Sequence, residues 1–479
     1  MTPIWARAAD VLSVILGAAG LSVLVFGGFR IRLAGTIVTA HSGFRLLLAA
    51  VLVATVRHYY HRVPSLAARV ASDVRRWWAA ESVQAIVPSF VGSRLGVFVV
   101  GYLAVITLGY PTRIPFRVSD NEIVNLPARW DAGWYLGIAR DGYNYDRRSA
   151  HQQNVAFFPM FPMTTSVVGI FTGGHVDEGN TRYANPARMV WTGVFLNLAA
   201  LGAALGYLYR LVRGFANRAA ALATVQIALA YPVAFIFNGM YTEGLFLLAS
   251  IATFYHFGRG QLAAAAFWGL VGGLTRPNGF ILAAPLAAIA LARSSPFPAL
   301  GRVLDRLGDD ARPRRPIAEI AASLAPVAGM LLFSAFLYSR WGDALLWAKL
   351  HAAWGRTYAG LEHARGPVDT MVELGVYQYT TLAGMEVLHV LFFLMAVGLA
   401  IPIAWRLGVA YTALHLLTVI PPLLAGGWLS MARVTVGLFP MFVYLGMTLP
   451  PAQRVAVLYA FAMLQGLGTA LFFTWRPFY

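Results

Sequence analysis

The chain has no cysteine anywhere in its 479 residues. That excludes disulfides, thiolate catalysis and thiolate metal sites on either side of a membrane. Charge is also scarce, at 12% of residues, with 20 acidic side chains against 37 basic ones. A soluble fold of this length would need far more polar surface, so a soluble protein is excluded. Lysine is nearly missing, Lys349 being the single example, and arginine carries almost all the positive charge. That usage fits a GC-rich bacterial source. The sequence also shows no internal repeat of the kind that many membrane transporters carry.

What is present is apolar. Hydrophobic residues make up 58% of the chain, in repeated windows of roughly 20 residues, the length that crosses a bilayer as a helix. Such windows lie near 11–29, 36–56, 93–110, 186–209, 219–238, 244–257, 262–275, 279–293, 317–339, 385–405, 408–426, 434–449 and 455–474. The expected fold class is therefore an all-α polytopic membrane protein with about 13 transmembrane helices. No convincing small-residue cleavage site follows the first window, which reads as a retained span.

A net charge of +17 would suggest a nucleic-acid partner in a soluble chain. Here the basic residues gather in short loops at 57–92, 210–218 and 293–316, with Arg406 and Arg454 marking two further turns. This is the positive-inside pattern, so no nucleic-acid partner is expected. It places the N-terminus in the cytoplasm, the C-terminus outside, and the long loops 111–185 and 340–384 on the exoplasmic face of a bacterial plasma membrane. The segment 157–172 is apolar but short and proline-bearing, and reads as an interfacial or partly re-entrant helix. The windows 262–275 and 279–293 are broken at TRPNG. Broken helices are tolerated at membrane depth where protein or a wet cavity surrounds the freed backbone, so Arg276 and Asn278 are expected to line something.

The run from Arg129 to Pro162 is polar, aromatic and acidic, and it lies between spans. A stretch of this kind at a membrane face is more apt to hold a site than to join two helices. Asn125 and Pro127 are helix-start signals and Gly142 a stop, so a short helix is expected over 127–141. On it Asp131 would share the apolar face with Tyr135 and Ile138. Desolvation would favour the acid form of Asp131 and a neighbour such as Arg129 its carboxylate form; the sequence does not choose. In either case Asp131 is a candidate general base. The competing readings are a helix cap or a structural ion pair.

RWDAGWYLGIARDGYNYD followed by NVAFFPMFP resembles the signature of the PIG-V-like (GPI mannosyltransferase 2-like) family. Three further stretches agree in order and type: NGMYTEGLFLL at 238–248, GGLTRPNGFILA at 272–283 and SMARVTVGLFPMFVYLG at 430–446. DALLWAKLHAAWGR at 343–356 agrees less well, since the family usually has a glutamine near His351. The similarity covers about 93–474. Residues 1–92, two spans and a basic cytoplasmic loop, read as an addition, and 93–479 as the enzymatic membrane domain.

The resemblance implies a GT-C type glycosyltransferase that uses a polyprenyl-phosphate sugar at the outer face, most simply an inverting mannosyltransferase. It assigns the catalytic aspartate to Asp131. Arg276 and Arg433, each at the expected outer end of a span, become candidates for the donor phosphate, with Arg356 a weaker third. Snorkelling to headgroups is their competing role. Glu243 is expected to bind sugar hydroxyls, orient an arginine or serve as the base in place of Asp131. Arg129, Trp130, Tyr135, Asn154, Asn278 and Trp354 complete the candidate substrate-binding set, with interfacial anchoring the alternative for the aromatics.

No cofactor is expected. His151, His175, His351 and His363 lack zinc-site spacing. Asp141 and Asp146 are less favoured partners for Asp131 around a hard cation. Expected partners are a lipid-linked sugar donor, a glycolipid, glycan or protein acceptor, membrane lipids and the synthase that makes the donor. The basic N-terminal loop is a candidate for anionic lipid contact. A lipid or glycolipid flippase and a non-catalytic subunit of a glycosyltransferase complex are the alternative classes.

Overall fold

The computed structural model describes residues 3–33, 36–111, 116–175, 186–294, 298–307 and 315–476. Parts of the long loop 111–185 and much of the basic loop 293–316 lie outside the described residues. Among the described residues the regular structure is helical apart from one hairpin. Helix α1 (Ile4–Phe26) leads into strands β1 (Phe29–Leu33) and β2 (Thr36–Ala40), paired antiparallel with Phe29 opposite Ala40. Helix α2 (Gly43–Tyr60) then returns along α1, and Gly20 and Gly43 let the two backbones touch. The expected window 36–56 is therefore strand before it is helix.

Helix α3 (Leu66–Ala79) is capped by Ser65 and precedes α4 (Glu81–Leu108). The loop beyond α4 carries α5 (Glu122–Asn125), α6 (Ala132–Asp141) and α7 (Met160–Thr172). At 13 residues α7 is too short to cross, as its composition implied. The bundle continues with α8 (Pro186–Arg213), α9 (Arg218–Ala230), α10 (Glu243–Gly258), α11 (Leu262–Thr275) and α12 (Ala283–Ser294). Then come α13 (Pro298–Leu304), α14 (Pro316–Trp341), α15 (Leu346–Leu350) and α16 (Glu362–Leu374). Helices α17 (Val376–Leu407), α18 (Val409–Gly426), α19 (Met431–Thr435), α20 (Phe439–Thr448) and α21 (Pro451–Phe473) complete it.

Among the described residues eight helices are long and apolar enough to cross a membrane, and the expected count of thirteen is not confirmed. The shortfall lies where the chain breaks inside the bundle. The window 219–238 folds as α9 followed by a 3₁₀ turn over Ala234–Asn238. Its freed carbonyls are not orphaned: buried Arg94 of α4 donates to the carbonyls of Ala234 (2.6 Å) and Leu229 (2.8 Å), and Gln465 of α21 to those of Leu229 and Tyr231. In a medium without water each of these groups would otherwise cost several kcal/mol. The break at TRPNG is another such place. A Cβ on Gly279 would lie 2.1 Å from the Gly272 carbonyl, and one on Gly273 1.9 Å from that of Pro326. Only glycine lets α11 press against both its own continuation and α14.

The core runs through α8, α9, α10 and α20, around Leu201, Leu205, Ile227, Ile251 and Phe439. Loops expected on one side meet one another. Arg147 of the first long loop donates to the Trp341 carbonyl and Gln152 to that of Ala353, while at the opposite end Glu81 meets Arg213 and Arg218.

Candidate active site

Helix α6 starts later than expected, at Ala132, because residues 127–131 turn rather than coil. Trp130 has φ 52°, a left-handed conformation for a bulky residue. Such a backbone costs about 1–3 kcal/mol and needs support. Support comes from the Trp130 indole N–H donating to the Phe472 carbonyl (3.2 Å), from its ring against Trp475, and from the Asp131 N–H donating to the Tyr241 hydroxyl (3.2 Å). The Asp131 side chain does not cap the helix. It is turned into a cavity of about 1140 Å³ instead.

There it meets Arg433. Arg433 Nη1 donates to Asp131 Oδ2 at 2.5 Å, and its Nε donates to Glu243 Oε1 at 2.6 Å. Arg276 Nη1 reaches the same Glu243 oxygen at 3.0 Å. The four side chains thus form an alternating row, Asp131–Arg433–Glu243–Arg276, drawn from four distant parts of the chain. Each is set by its own break in regular structure. Arg433 sits on the five-residue α19, entered through Ser430 at φ 60°. Arg276 is the extended residue between α11 and the next turn. Glu243 opens α10, where Asn197 of α8 accepts from the Gly244 N–H (2.7 Å) and donates to the Phe237 and Gly239 carbonyls.

Exposure separates the two acids. The Glu243 side chain is 0% exposed and Asp131 22%. Glu243 therefore lies behind the cavity wall as the partner of two arginines, while Asp131 keeps Oδ1 without a partner among the described residues. Arg356 also lines the cavity, and its guanidinium has no acceptor among the described residues. Burial, then the nearby charges of Arg433 and Arg276, lowers its pKa. With three arginines against two carboxylates, the wall carries an excess positive charge that suits an anion.

Trp130, Tyr135, Asn278 and Trp354 line the same cavity. Tyr135 is buried, which pushes its hydroxyl up to about 12. Trp354, Trp134 and Phe157 form a cluster, with Trp134 stacked on Phe157 at 5.8 Å and both edge-on to Trp354. Two expected substrate residues do not join them. The Arg129 guanidinium is spent on the carbonyls of Phe473, Asn125 and Ala128 and on the Tyr110 hydroxyl, and it is fully buried. The Asn154 amide closes its own loop, accepting from the Asn144 N–H and donating to the Gly142 carbonyl. Neither residue lines the cavity, and the hydrogen bonds each makes tie its own loop or the end of the last helix. The neighbour of Asp131 is Arg433 instead of Arg129.

Sequence reasoning weighed His351 only as a zinc ligand and not as a substrate-binding residue. Its Nδ1 lies 2.7 Å from the Trp347 carbonyl, which accepts only, so Nδ1 carries the proton. Burial, then the Arg356 charge, pushes this imidazole down to about 4. His351 is thus neutral with an acceptor Nε2, and it lines the cavity. The i, i+4 spacing of Trp347 and His351 was the available signal. Trp475, over 300 residues from Trp130, left none. Among the described residues no three His, Asp or Glu side chains gather as a metal-ligand set; Asp146 caps its own turn at the Arg148 N–H.

The family comparison agrees with the motifs. Residues 108–340, a little under half the chain, match the model of the family described as Mannosyltransferase (PIG-V). No curated protein matches the chain significantly. Among solved structures it is similar to the Archaeoglobus fulgidus oligosaccharyltransferase, crystallised with a tethered acceptor peptide, at 12% identity and a TM-score of 0.38. The match covers 81% of this chain, which spans 55% of the length of that one.

Proposed function

We propose that this protein is a GT-C type membrane glycosyltransferase, an inverting enzyme that moves mannose from a polyprenyl-phosphate donor to an acceptor hydroxyl at the exoplasmic face. The observation that carries the reading is the Asp131–Arg433–Glu243–Arg276 row at a cavity wall, with Arg356 beside it. The family match over 108–340 supports the reaction class.

The division of labour follows from charge. An acceptor oxygen must lose its proton as it attacks the anomeric carbon, and Asp131 Oδ1 is the open carboxylate oxygen for that transfer. A positioned base of this kind contributes about 10²–10⁴-fold. The bond from the anomeric carbon to the phosphate oxygen breaks as the new glycosidic bond forms, and the pair of electrons leaves on a phosphate that is already anionic. Such a leaving group needs cations rather than a proton, and Arg276, Arg356 and Arg433 supply them. Glu243 holds two of these arginines in place. Asn278 and His351 offer neutral hydrogen-bonding groups for sugar hydroxyls, and the Trp134–Phe157–Trp354 cluster offers aromatic faces. The acceptor class on this reading is a glycolipid, lipoglycan or protein.

The test is transfer of radiolabelled mannose from polyprenyl-phosphate-mannose in membranes expressing the wild type, Asp131→Asn or an empty vector. A product made by the wild type alone supports donor and base together. Wild-type and Asp131→Asn membranes of equal activity would remove Asp131 from the mechanism.

A further inference from the structure

The side of the bundle opposite the cavity holds a feature that transfer chemistry does not use. Helix α3 lies between the end of α2 and the start of α4, while the cavity opens beyond the other end of α4. Its sequence, LAARVASDVRRWWA, divides at 100° per residue into two arcs. Leu66, Val70, Val74, Trp77 and Trp78 fall on one, and Arg69, Asp73, Arg75 and Arg76 on the other.

None of its residues is buried, and Val70, Val74, Trp77 and Trp78 are 44%, 56%, 58% and 52% exposed. The helix is nonetheless fixed in place. Arg69 pairs with the buried Asp10 of α1, which Arg57 also holds at 2.8 Å, and the Gln84 side chain donates to the Trp78 carbonyl. The protein thus anchors the helix through Arg69 and leaves Val70, Val74, Trp77 and Trp78 bare. Positive charge flanks that bare face: Arg75 and Arg76 on the polar arc, the latter paired with Asp73, and Arg210, Arg213 and Arg218 where the next loop meets Glu81 and Ser82 at the start of α4.

The geometry points to α3 as an in-plane anchor that seats Trp77, Val74 and Val70 at the acyl boundary of the leaflet opposite the cavity, with its arginines on anionic phospholipid headgroups. Two candidate spans have an end beside it, α1 through Asp10 and α4 through its start at Glu81, so that leaflet is the surface within reach. An exposed Trp pair, an apolar arc and flanking arginines are the composition that such a surface selects. Each arginine favours the docked state by roughly fivefold at an anionic surface, and salt weakens it.

The absence of cysteine makes the test clean, since one introduced thiol is the only label site. The full chain carrying Val70→Cys or Ala68→Cys, on opposite arcs, is labelled with an environment-sensitive fluorophore. It is then placed in nanodiscs of phosphatidylcholine with or without phosphatidylglycerol, using acyl chains brominated near the headgroup. The label at 70 is expected to be quenched and blue-shifted, more so with phosphatidylglycerol, and the label at 68 to stay in water. Replacing Arg75 and Arg76 together with Gln should lower the docked-to-undocked ratio by roughly 25-fold with phosphatidylglycerol. Equal quenching at both positions, or none at 70, would overturn the assignment. Equal quenching in both lipids would overturn the anionic preference. A label at 70 protected only when discs hold two copies would assign the face to a second chain instead.

Discussion

Asp131 and Glu243 share Arg433, yet the structure gives them opposite sensitivities, and neutralising each in turn separates them. Asp131→Asn keeps the shape of a side chain that is 22% exposed and makes one ion pair. Exposed pairs are worth about 0.2–1 kcal/mol, and partial burial places this one near the top of that range. The fold should barely notice. The rate should fall about 10²–10⁴-fold, which at 1.36 kcal/mol per decade is roughly 2.7–5.4 kcal/mol of barrier. Glu243→Gln removes a charge that is 0% exposed and holds two arginines through one oxygen. Breaking one side of a buried pair costs about 3–5 kcal/mol, because the cations stay behind uncompensated. That variant should lose its thermal midpoint first. The assay pairs initial rates of mannose transfer at saturating lipid donor with thermal unfolding of the same purified samples in detergent. Asp131→Asn working within tenfold of wild type, or Glu243→Gln as stable as wild type, would refute the assignment.

Arg356→Gln leaves no carboxylate stranded, so the protein should unfold at the wild-type temperature while KM for the lipid-phosphate donor rises about tenfold, as loss of one charge-assisted contact implies. His351 is neutral, and its folded value of about 4 lies below the ordinary 6.5. The unfolded chain therefore binds the proton first, the stabilisation is whole above 6.5, and it drains away as pH falls towards 4. Thermal midpoints measured between pH 7 and pH 4.5 should fall less steeply for His351→Gln than for wild type; parallel curves would discount His351. Chelation with EDTA should leave transfer unchanged, because arginines already pair with Glu243 Oε1 and Asp131 Oδ2, which leaves Asp131 Oδ1 as a single open carboxylate oxygen rather than a ligand set; restoration of a lost rate by a divalent ion would reverse this.

The parts of this fold that obey a period were legible. Apolar windows marked the helices, and the sidedness of arginine grouped the loops that meet in space, including those that bring Asp131 and Arg276 to one end. What failed is where the chain leaves a period. Residues 127–131 carry helix-start signals, but Arg129 reaches four acceptors and draws the backbone into a turn, so tertiary contacts override local propensity. The expected count of thirteen spans goes unconfirmed for the same reason. A segment such as 231–239 is as apolar as a helix, and only Arg94, Gln465 and Asn197 reveal that its backbone is satisfied from outside. Asn154 shows the reverse limit: an amide in a polar loop looks like a ligand until both of its ends are found bonded to that loop.

The charge count of the wall fits the direction of the proposed reaction. Arg276, Arg356 and Arg433 against Asp131 and Glu243 leave one net positive charge facing a largely apolar cavity. A polyprenyl-phosphate sugar is a phosphodiester with one negative charge, so it closes the account on binding. Transfer takes the sugar and leaves a monoester, whose second ionisation near pH 6 gives it nearly two charges at neutral pH. The acceptor's proton passes to Asp131 in the same event and relaxes the hold of Arg433 on that carboxylate. On the proposed mechanism Arg433 Nη1 then turns to the more highly charged product while its Nε stays on Glu243, so the cation needed by the departing phosphate becomes available as the bond breaks. Arg433 joins the base to the leaving-group site, and conservative replacement by Lys, which cannot span Asp131 and Glu243 with two nitrogens, should cost more in turnover than in donor binding.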